Sequence, residues 1–171
     1  MTRIFLIGLM GAGKTTVGRQ IAKRVGASFV DLDHEIEKRT GVRVTTIFEL
    51  EGEEGFRERE SRVLAETAVR DDIVVATGGG IVLRPENRDI LRKAGTVIYL
   101  DAPPNILYER TRKDTNRPLL RVPDPLAKLH ELHALRDPLY REVADIVIPS
   151  RGGGMGSLMR LIEKELARCA P

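Results

Sequence analysis

Ile4-Phe5-Leu6-Ile7-Gly8-Leu9-Met10-Gly11-Ala12-Gly13-Lys14-Thr15 runs from an unbroken apolar tetrad into a complete G-x-x-x-x-G-K-[ST] match. The tetrad reads as a strand buried on both faces, because a strand with one solvated face would alternate. The glycines that follow let successive backbone N–H groups turn inward around phosphate oxygens. Beyond them Val17, Ile21, Ala22 and Val25 recur at helical spacing, and Gly26 is a natural stop. A helix starting there aims its N-terminus at the same anion. In such a loop the lysine, Lys14, reaches the β- and γ-phosphates and the hydroxyl of Thr15 ligates Mg²⁺. With glycine at about 7% of average composition, a chance match in a chain this size is on the order of one in a hundred or fewer. Nucleotide binding follows from this stretch; the reaction does not.

The rest of the chain keeps the same alternation. Ser28–Asp33, Ile73–Ala76, Thr96–Leu100 and Ile146–Ile148 read as further strands. Helices are expected over His34–Thr40, Phe56–Val69, Pro85 to about Ala94, from after Pro103-Pro104 to about Arg112, roughly Leu126–Leu135 and about Ser157–Arg168. Asp114–Pro125, with Pro118, Pro123 and Pro125, reads as a mobile loop. Strand–helix alternation predicts a three-layer α/β fold with a parallel sheet of five strands. Ligands of such folds sit beyond the carboxyl ends of the strands, where the unusual residues of this chain fall.

Composition narrows the function classes. The 171 residues are 42% hydrophobic and 31% charged, ordinary for one soluble domain, and no internal repeat or long linker divides them. Lys plus Arg is 28 and Asp plus Glu 25, a net +3 too small to argue for nucleic acid but suited to a small anion held by focused arginines. The single cysteine, Cys169, rules out a disulfide framework within the chain and predicts a reducing cytosol. No apolar run approaches the ~18 residues of a membrane span. Ile4–Met10 mimics a signal-peptide core but meets Gly11 with no A-x-A site, so export is not expected. No long apolar helix face demands a partner, and a monomer is expected.

Several residues past the strands are candidates for chemistry. Asp31 and Asp33, two apart on a strand, would point the same way, one holding Mg²⁺ through water and the other taking a proton from a substrate hydroxyl. Asp101, after its own apolar run, competes for the metal role, and spacing does not choose between Asp31 and Asp101. Thr77-Gly78-Gly79-Gly80 permits close backbone approach to a ligand. Arg57, four residues after Glu53, reads by itself as part of a surface salt-bridge lattice. Arg117, in the proline-bounded loop, has the position of a lid arginine closing over phosphate. Arg136 precedes Asp137-Pro138-Leu139-Tyr140, and Arg110 and Arg151 are individually uninformative. His130 and His133 are three apart on a helix, but no third ligand accompanies them and a zinc site is not expected.

Taken together, the chain resembles the shikimate kinase family. The phosphate loop, Asp31-Leu32-Asp33, Phe56-Arg57-x-x-Glu60, Gly78-Gly79-Gly80, Arg117-Pro118-Leu119-Leu120 and Arg136-x-Pro138-Leu139-Tyr140 carry the resemblance, in the family's order, from Ile4 to about Arg151. It implies a nucleoside-monophosphate-kinase-like fold with strand order 2-3-1-4-5, a lid at about 112–125 and a shikimate-binding segment at about 33–61. It implies transfer of the ATP γ-phosphoryl group to the 3-hydroxyl of shikimate, on the route to chorismate and the aromatic amino acids. By the resemblance, Asp33 meets the shikimate hydroxyls and is the base, Arg57 and Arg136 hold the carboxylate, and Gly79, between Gly78 and Gly80, offers its N–H. Gly11, Ala12, Gly13, Lys14, Thr15, Thr16, Arg110, Arg117 and Arg151 would bind the nucleotide, Arg110 stacking on adenine. Asp31 would be the outer-shell magnesium carboxylate, ahead of Asp101. One departure is the run Ser150-Arg151-Gly152-Gly153-Gly154-Met155-Gly156, where the family usually places arginine, asparagine and proline. Two other readings stay open: a kinase for gluconate or amino-shikimate, and a phosphate-loop binding module without turnover. Arg57, Arg136 and the triple glycine weigh against gluconate, and intact Lys14, Thr15, Asp33 and Arg117 against a silent module.

Overall fold

In a computed structural model, described over residues 1–151 and 153–169, five strands form one parallel sheet. They are β1 (Arg3–Ile7), β2 (Ser28–Asp31), β3 (Ile73–Ala76), β4 (Thr96–Asp101) and β5 (Ile146–Pro149), in the order β2-β3-β1-β4-β5. Burial follows position in the sheet. β1, β3 and β4 lie inside it, and their continuous apolar runs are buried on both faces. β5 is an edge: Ile146 and Ile148 are buried while Val147 and Pro149 are exposed. β2, the other edge, has no fully buried residue. β1 is the hub, with Phe5 level with Val75 on one side and Val97 on the other.

Among the described residues seven α-helices connect and cover the sheet: α1 (Lys14–Val25), α2 (Leu32–Thr40), α3 (Val44–Ala68), α4 (Pro85–Ala94), α5 (Pro104–Thr111), α6 (Pro125–Val143) and α7 (Met155–Cys169). The chain leaves β1 toward the β3/β2 side and leaves β3 toward the β4 side. The loops after β1 and β3 therefore open a crevice at the carboxyl end of the sheet. The phosphate loop and Thr77-Gly78-Gly79-Gly80 are those two loops.

The structure corrects several element boundaries. β2 ends at Asp31, and Asp33 stands in the first turn of α2 rather than on a strand. The Asp31 side chain caps that helix, accepting from the His34 N–H at 3.1 Å, and a cap at this point stops the strand. α3 begins at Val44, well before Phe56, and is two helical pieces joined at Gly52, whose φ of 73° and ψ of 177° break the helical path. α6 runs on through Pro138 to Val143, where a proline alone would end it. Leu129, Leu132, Arg136, Tyr140 and Val143 form its buried stripe, and this packing outweighs the missing N–H. α7 starts at Met155, ahead of Ser157, and Gly152 lies outside the described residues. No helix among the described residues is long and apolar enough to cross a membrane.

Candidate active site

The crevice is a cleft of about 430 Å³ between the phosphate loop, the glycine loop after β3, α2, α3, α6 and the 114–119 segment. It brings together Gly11, Ala12, Gly13, Lys14, Thr15, Asp31, Asp33, Arg57, Gly78, Gly79, Gly80, Arg117 and Arg136. A second cavity of about 460 Å³ meets it at Ala12 and Gly13 and takes in Thr16, Arg110, Arg151, Gly153 and Gly154. The sequence candidates thus fall into two adjoining chambers.

At the phosphate end, the Lys14 ammonium donates to the carbonyls of Gly8 and, at 3.1 Å, Leu9. Burial lowers its pKa to about 8, helped by the Arg117 charge and opposed by Asp33 and Asp31. The Thr15 hydroxyl donates to Asp31 Oδ2 at 2.6 Å. A hydroxyl and a carboxylate side by side beneath a phosphate cradle make a hard-oxygen donor set. Asp101 lies elsewhere: its carboxylate takes Arg141 at 2.8 Å and His133 at 3.1 Å, and it lines neither chamber. The Arg110 guanidinium donates to the Gly11 carbonyl at 3.0 Å from α5.

At the other end stand two guanidiniums. Arg57 is not on the surface: it is 7% exposed and holds Glu60 at 2.9 Å and Glu53 at 3.2 Å. The expected pair with Glu53 forms, with the guanidinium buried in the cleft wall and the Glu53 carboxylate exposed. Arg136 is 4% exposed and has no ion pair among the described residues. Asp33 lies between these arginines and Lys14. One of its oxygens, Oδ1, is buried without a hydrogen-bond partner. Burial, reinforced by Asp31, raises the Asp33 pKa against the pull of Lys14, Arg117 and Arg57. Burial also pushes Glu60 up to about 7, with Arg57 opposing, and leaves its Oε2 unpartnered. The glycine loop packs against these groups: a Cβ at Gly78 would strike the Glu60 carboxylate and one at Gly80 the Arg57 guanidinium. Only glycine allows so close an approach.

The 112–125 stretch reaches across this end. Asn116 Nδ2 donates to Glu37 Oε2 at 3.1 Å, and Arg121 pairs with Glu49 at 3.3 Å. Arg117 Nε sits 3.1 Å from Asp114 Oδ2, an ion pair without hydrogen-bond geometry. Several lining residues escaped the sequence reading: His34, Glu37, Phe48 and Asn116. Glu37 had a signal, four residues after Asp33 on the same helix face, visible once α2 is started at Leu32. Phe48 and Phe56 stack at 5.0 Å across the Gly52 break, and nothing in their spacing announces it. His130 is exposed, and His133 instead meets Asp101 and Asp137, whose oxygens are engaged by Arg141 and Tyr99.

Comparison with known proteins fits this geometry. The family model described as shikimate kinase matches residues 10–167. A shikimate kinase of Dechloromonas aromatica is 63% identical over 145 residues, covering 85% of this chain and 79% of its own. One of Ralstonia nicotianae is 57% identical over 166 residues, covering 97% and 87%. The solved shikimate kinase of Acinetobacter baumannii, in complex with shikimate, superposes with a TM-score of 0.91 at 47% identity, covering 99% of this chain and 93% of that one. With the motifs in order, the sheet in the order 2-3-1-4-5 and a family match across nearly its whole length, the chain belongs to the shikimate kinase family.

Proposed function

We propose that the chain transfers the γ-phosphoryl group of ATP to the 3-hydroxyl of shikimate, giving shikimate 3-phosphate and ADP. The observation that carries this reading is Arg136, a buried guanidinium without an anion, opening with Arg57 into the same cleft as Asp33 and the phosphate loop. A planar carboxylate is the ligand that guanidinium forks hold best. With the shikimate carboxylate there, the ring hydroxyls face Asp33 and the glycine loop, and the 3-hydroxyl faces the phosphates on the loop after β1.

The chemistry then needs position and charge more than covalent help. Asp33 takes the hydroxyl proton as the oxygen attacks γ-phosphorus and the bond to the ADP oxygen breaks. A raised pKa suits a base that must hold that proton. Lys14 and Arg117 place positive charge beside the transferring group. Thr15 and, through water, Asp31 fit Mg²⁺. An ion held there would supply positive charge against the phosphates as the group is transferred. Thr16, Arg110 and Arg151 line the chamber for the nucleoside, with Arg110 against the adenine. Residues 112–125 act as a lid and residues 33–61 hold shikimate. Closure over both substrates excludes water from the transfer. We assign a monomer acting in the cytoplasm, a compartment that suits its lone, exposed Cys169.

Acceptor specificity tests the reading. The protein is mixed with Mg-ATP and shikimate, quinate, amino-shikimate or gluconate, and ADP release is followed. Turnover that depends on shikimate and exceeds the others is expected. ATP binding without turnover on any acceptor would reduce the protein to a nucleotide-binding module.

A further inference from the structure

The hydroxyl of Tyr140 donates to the carbonyl of Gly79 across the boundary between α6 and the glycine loop. Tyr140 lies one helical turn beyond Arg136, on the same buried stripe. Its ring is fully buried and stacked on Tyr99 at 4.8 Å, and Tyr99 is anchored by a 2.7 Å hydrogen bond to Asp137. Burial and this ring packing, which a phenylalanine at position 99 would keep, are what aim the hydroxyl.

Along the glycine loop each carbonyl is taken. Gly78 O accepts from the Ile81 N–H at 3.1 Å, and Gly80 O accepts from the Leu83 N–H at 3.1 Å. Gly79 O, between them, is held by a side chain instead. Peptide units are planar and trans, so tethering a carbonyl turns the N–H of the same unit the opposite way. Among the described residues no protein group accepts from the N–H of Gly79 or Gly80. Three glycines in a row have little intrinsic preference for one orientation. On the other side of Gly79, Arg136 Nη1 approaches to 3.3 Å of where a Cβ would stand.

We infer that Tyr140 is a positioning residue for the acceptor: its hydroxyl locks the Gly79–Gly80 peptide so that the N–H of that unit, on Gly80, is presented to the substrate beside Arg136. The inference rests on the reading of this cleft as the shikimate site and adds to it a residue that touches no substrate. One face of α6 then supplies both the carboxylate clamp and the brace for the adjoining backbone donor.

The test is Tyr140→Phe, with Tyr99→Phe as the packing control. Both remove one buried phenol from the same stacked pair, but only the first reaches Gly79. For Tyr140→Phe the KM for shikimate rises about three- to tenfold, the loss of one neutral hydrogen bond, while the KM for ATP holds. Tyr99→Phe lowers the melting temperature and leaves both KM values in place. Unchanged KM for shikimate in Tyr140→Phe overturns the proposal. So does an equal rise in both KM values, or the same shikimate effect in Tyr99→Phe. If Tyr140→Phe fails to fold, 3-fluorotyrosine at position 140 keeps the ring and makes the phenol a stronger donor. A change in shikimate KM alone then supports the role, and no change removes it. A wild-type protein without shikimate-dependent turnover removes the functional reading and this proposal together. A wild type with that turnover beside an unaltered Tyr140→Phe removes the proposal alone.

Discussion

A guanidinium held at 4% exposure with no carboxylate against it, as at Arg136, carries a desolvation penalty that only an arriving anion offsets. Arg57 is in the opposite position. It is already paired, and it neutralises Glu60, which is wholly buried. The two arginines therefore separate when each is replaced by methionine. Both variants weaken shikimate by roughly tenfold to a hundredfold, the loss of a charge-assisted contact, and leave ATP affinity alone. Arg136→Met raises the melting temperature of the ligand-free protein. Arg57→Met lowers stability instead, and more so as pH rises above about 7, because Glu60 loses the guanidinium that favours its charged form and must stay protonated in its buried site. Thermal melts and substrate titrations on the two proteins check this, and a lower melting temperature for Arg136→Met would count against a site waiting for an anion. Asp33 gives a separate prediction. Asp33→Asn keeps the shape of the side chain and removes its basicity, so turnover falls by about 10²–10⁴ while ATP still binds. A turnover number near wild type would leave Asp33 a mere contact.

At the scale of elements, the strands were legible because each central one is an unbroken apolar run bounded by glycine, proline or aspartate. The phosphate loop was legible because its chemistry demands particular residues in particular places. What the sequence hid were the points where tertiary contacts overrule local rules. Asp33 reads as strand because Ser28–Asp33 is β-rich, yet the Asp31 cap converts the last two residues to helix. Pro138 reads as a stop, yet a buried stripe ending in Tyr140 and Val143 carries α6 past it. Arg57 reads as solvated because its Glu53 spacing is common on surfaces; nothing local reveals the glycine loop packed against its guanidinium. Gly52 shows the same limit. Its positive φ with extended ψ is a conformation that other residues avoid, and it turns Val44–Glu51 so that Phe48 meets Phe56 over the cleft. Gly52→Ala lowers stability by about 1–3 kcal/mol in urea unfolding. It also raises the KM for shikimate more than that for ATP, since the displaced helix lines the acceptor end. Unaltered stability would mean that the break is not required.

At the scale of the whole molecule, the cations that line the crevice, Lys14, Arg57, Arg117 and Arg136, stand among the carboxyl groups of Asp31, Asp33, Glu37, Glu60 and Asp114, and burial raises the pKa of Asp33 and Glu60. Arg57 and Arg117 are already paired, while Lys14 and Arg136 have no ion pair among the described residues, so the ligands supply their anions, phosphate at one end and carboxylate at the other. Lys14 shows how this couples to pH. Its pKa in the folded, ligand-free chain is about 8, against 10.5 for an ordinary lysine, first because burial disfavours the ammonium and then because Arg117 repels it. The unfolded chain therefore binds this proton more tightly, and the group adds stability as pH rises from about 8 to 10.5. ATP binding has the opposite slope. Bound phosphates need the ammonium, so above about pH 8 ATP must bring a proton in with it, and its affinity falls with rising pH. Isothermal titration of ATP at pH 9, in two buffers of different ionisation enthalpy, will show proton uptake that is absent at pH 7. The ligand-free melting temperature gains a favourable contribution from this residue over the same interval, one that Lys14→Met lacks. ATP affinity flat from pH 7 to 9.5, with no proton uptake, would mean that Lys14 keeps its charge in the empty site and that burial there is weaker than the fold implies.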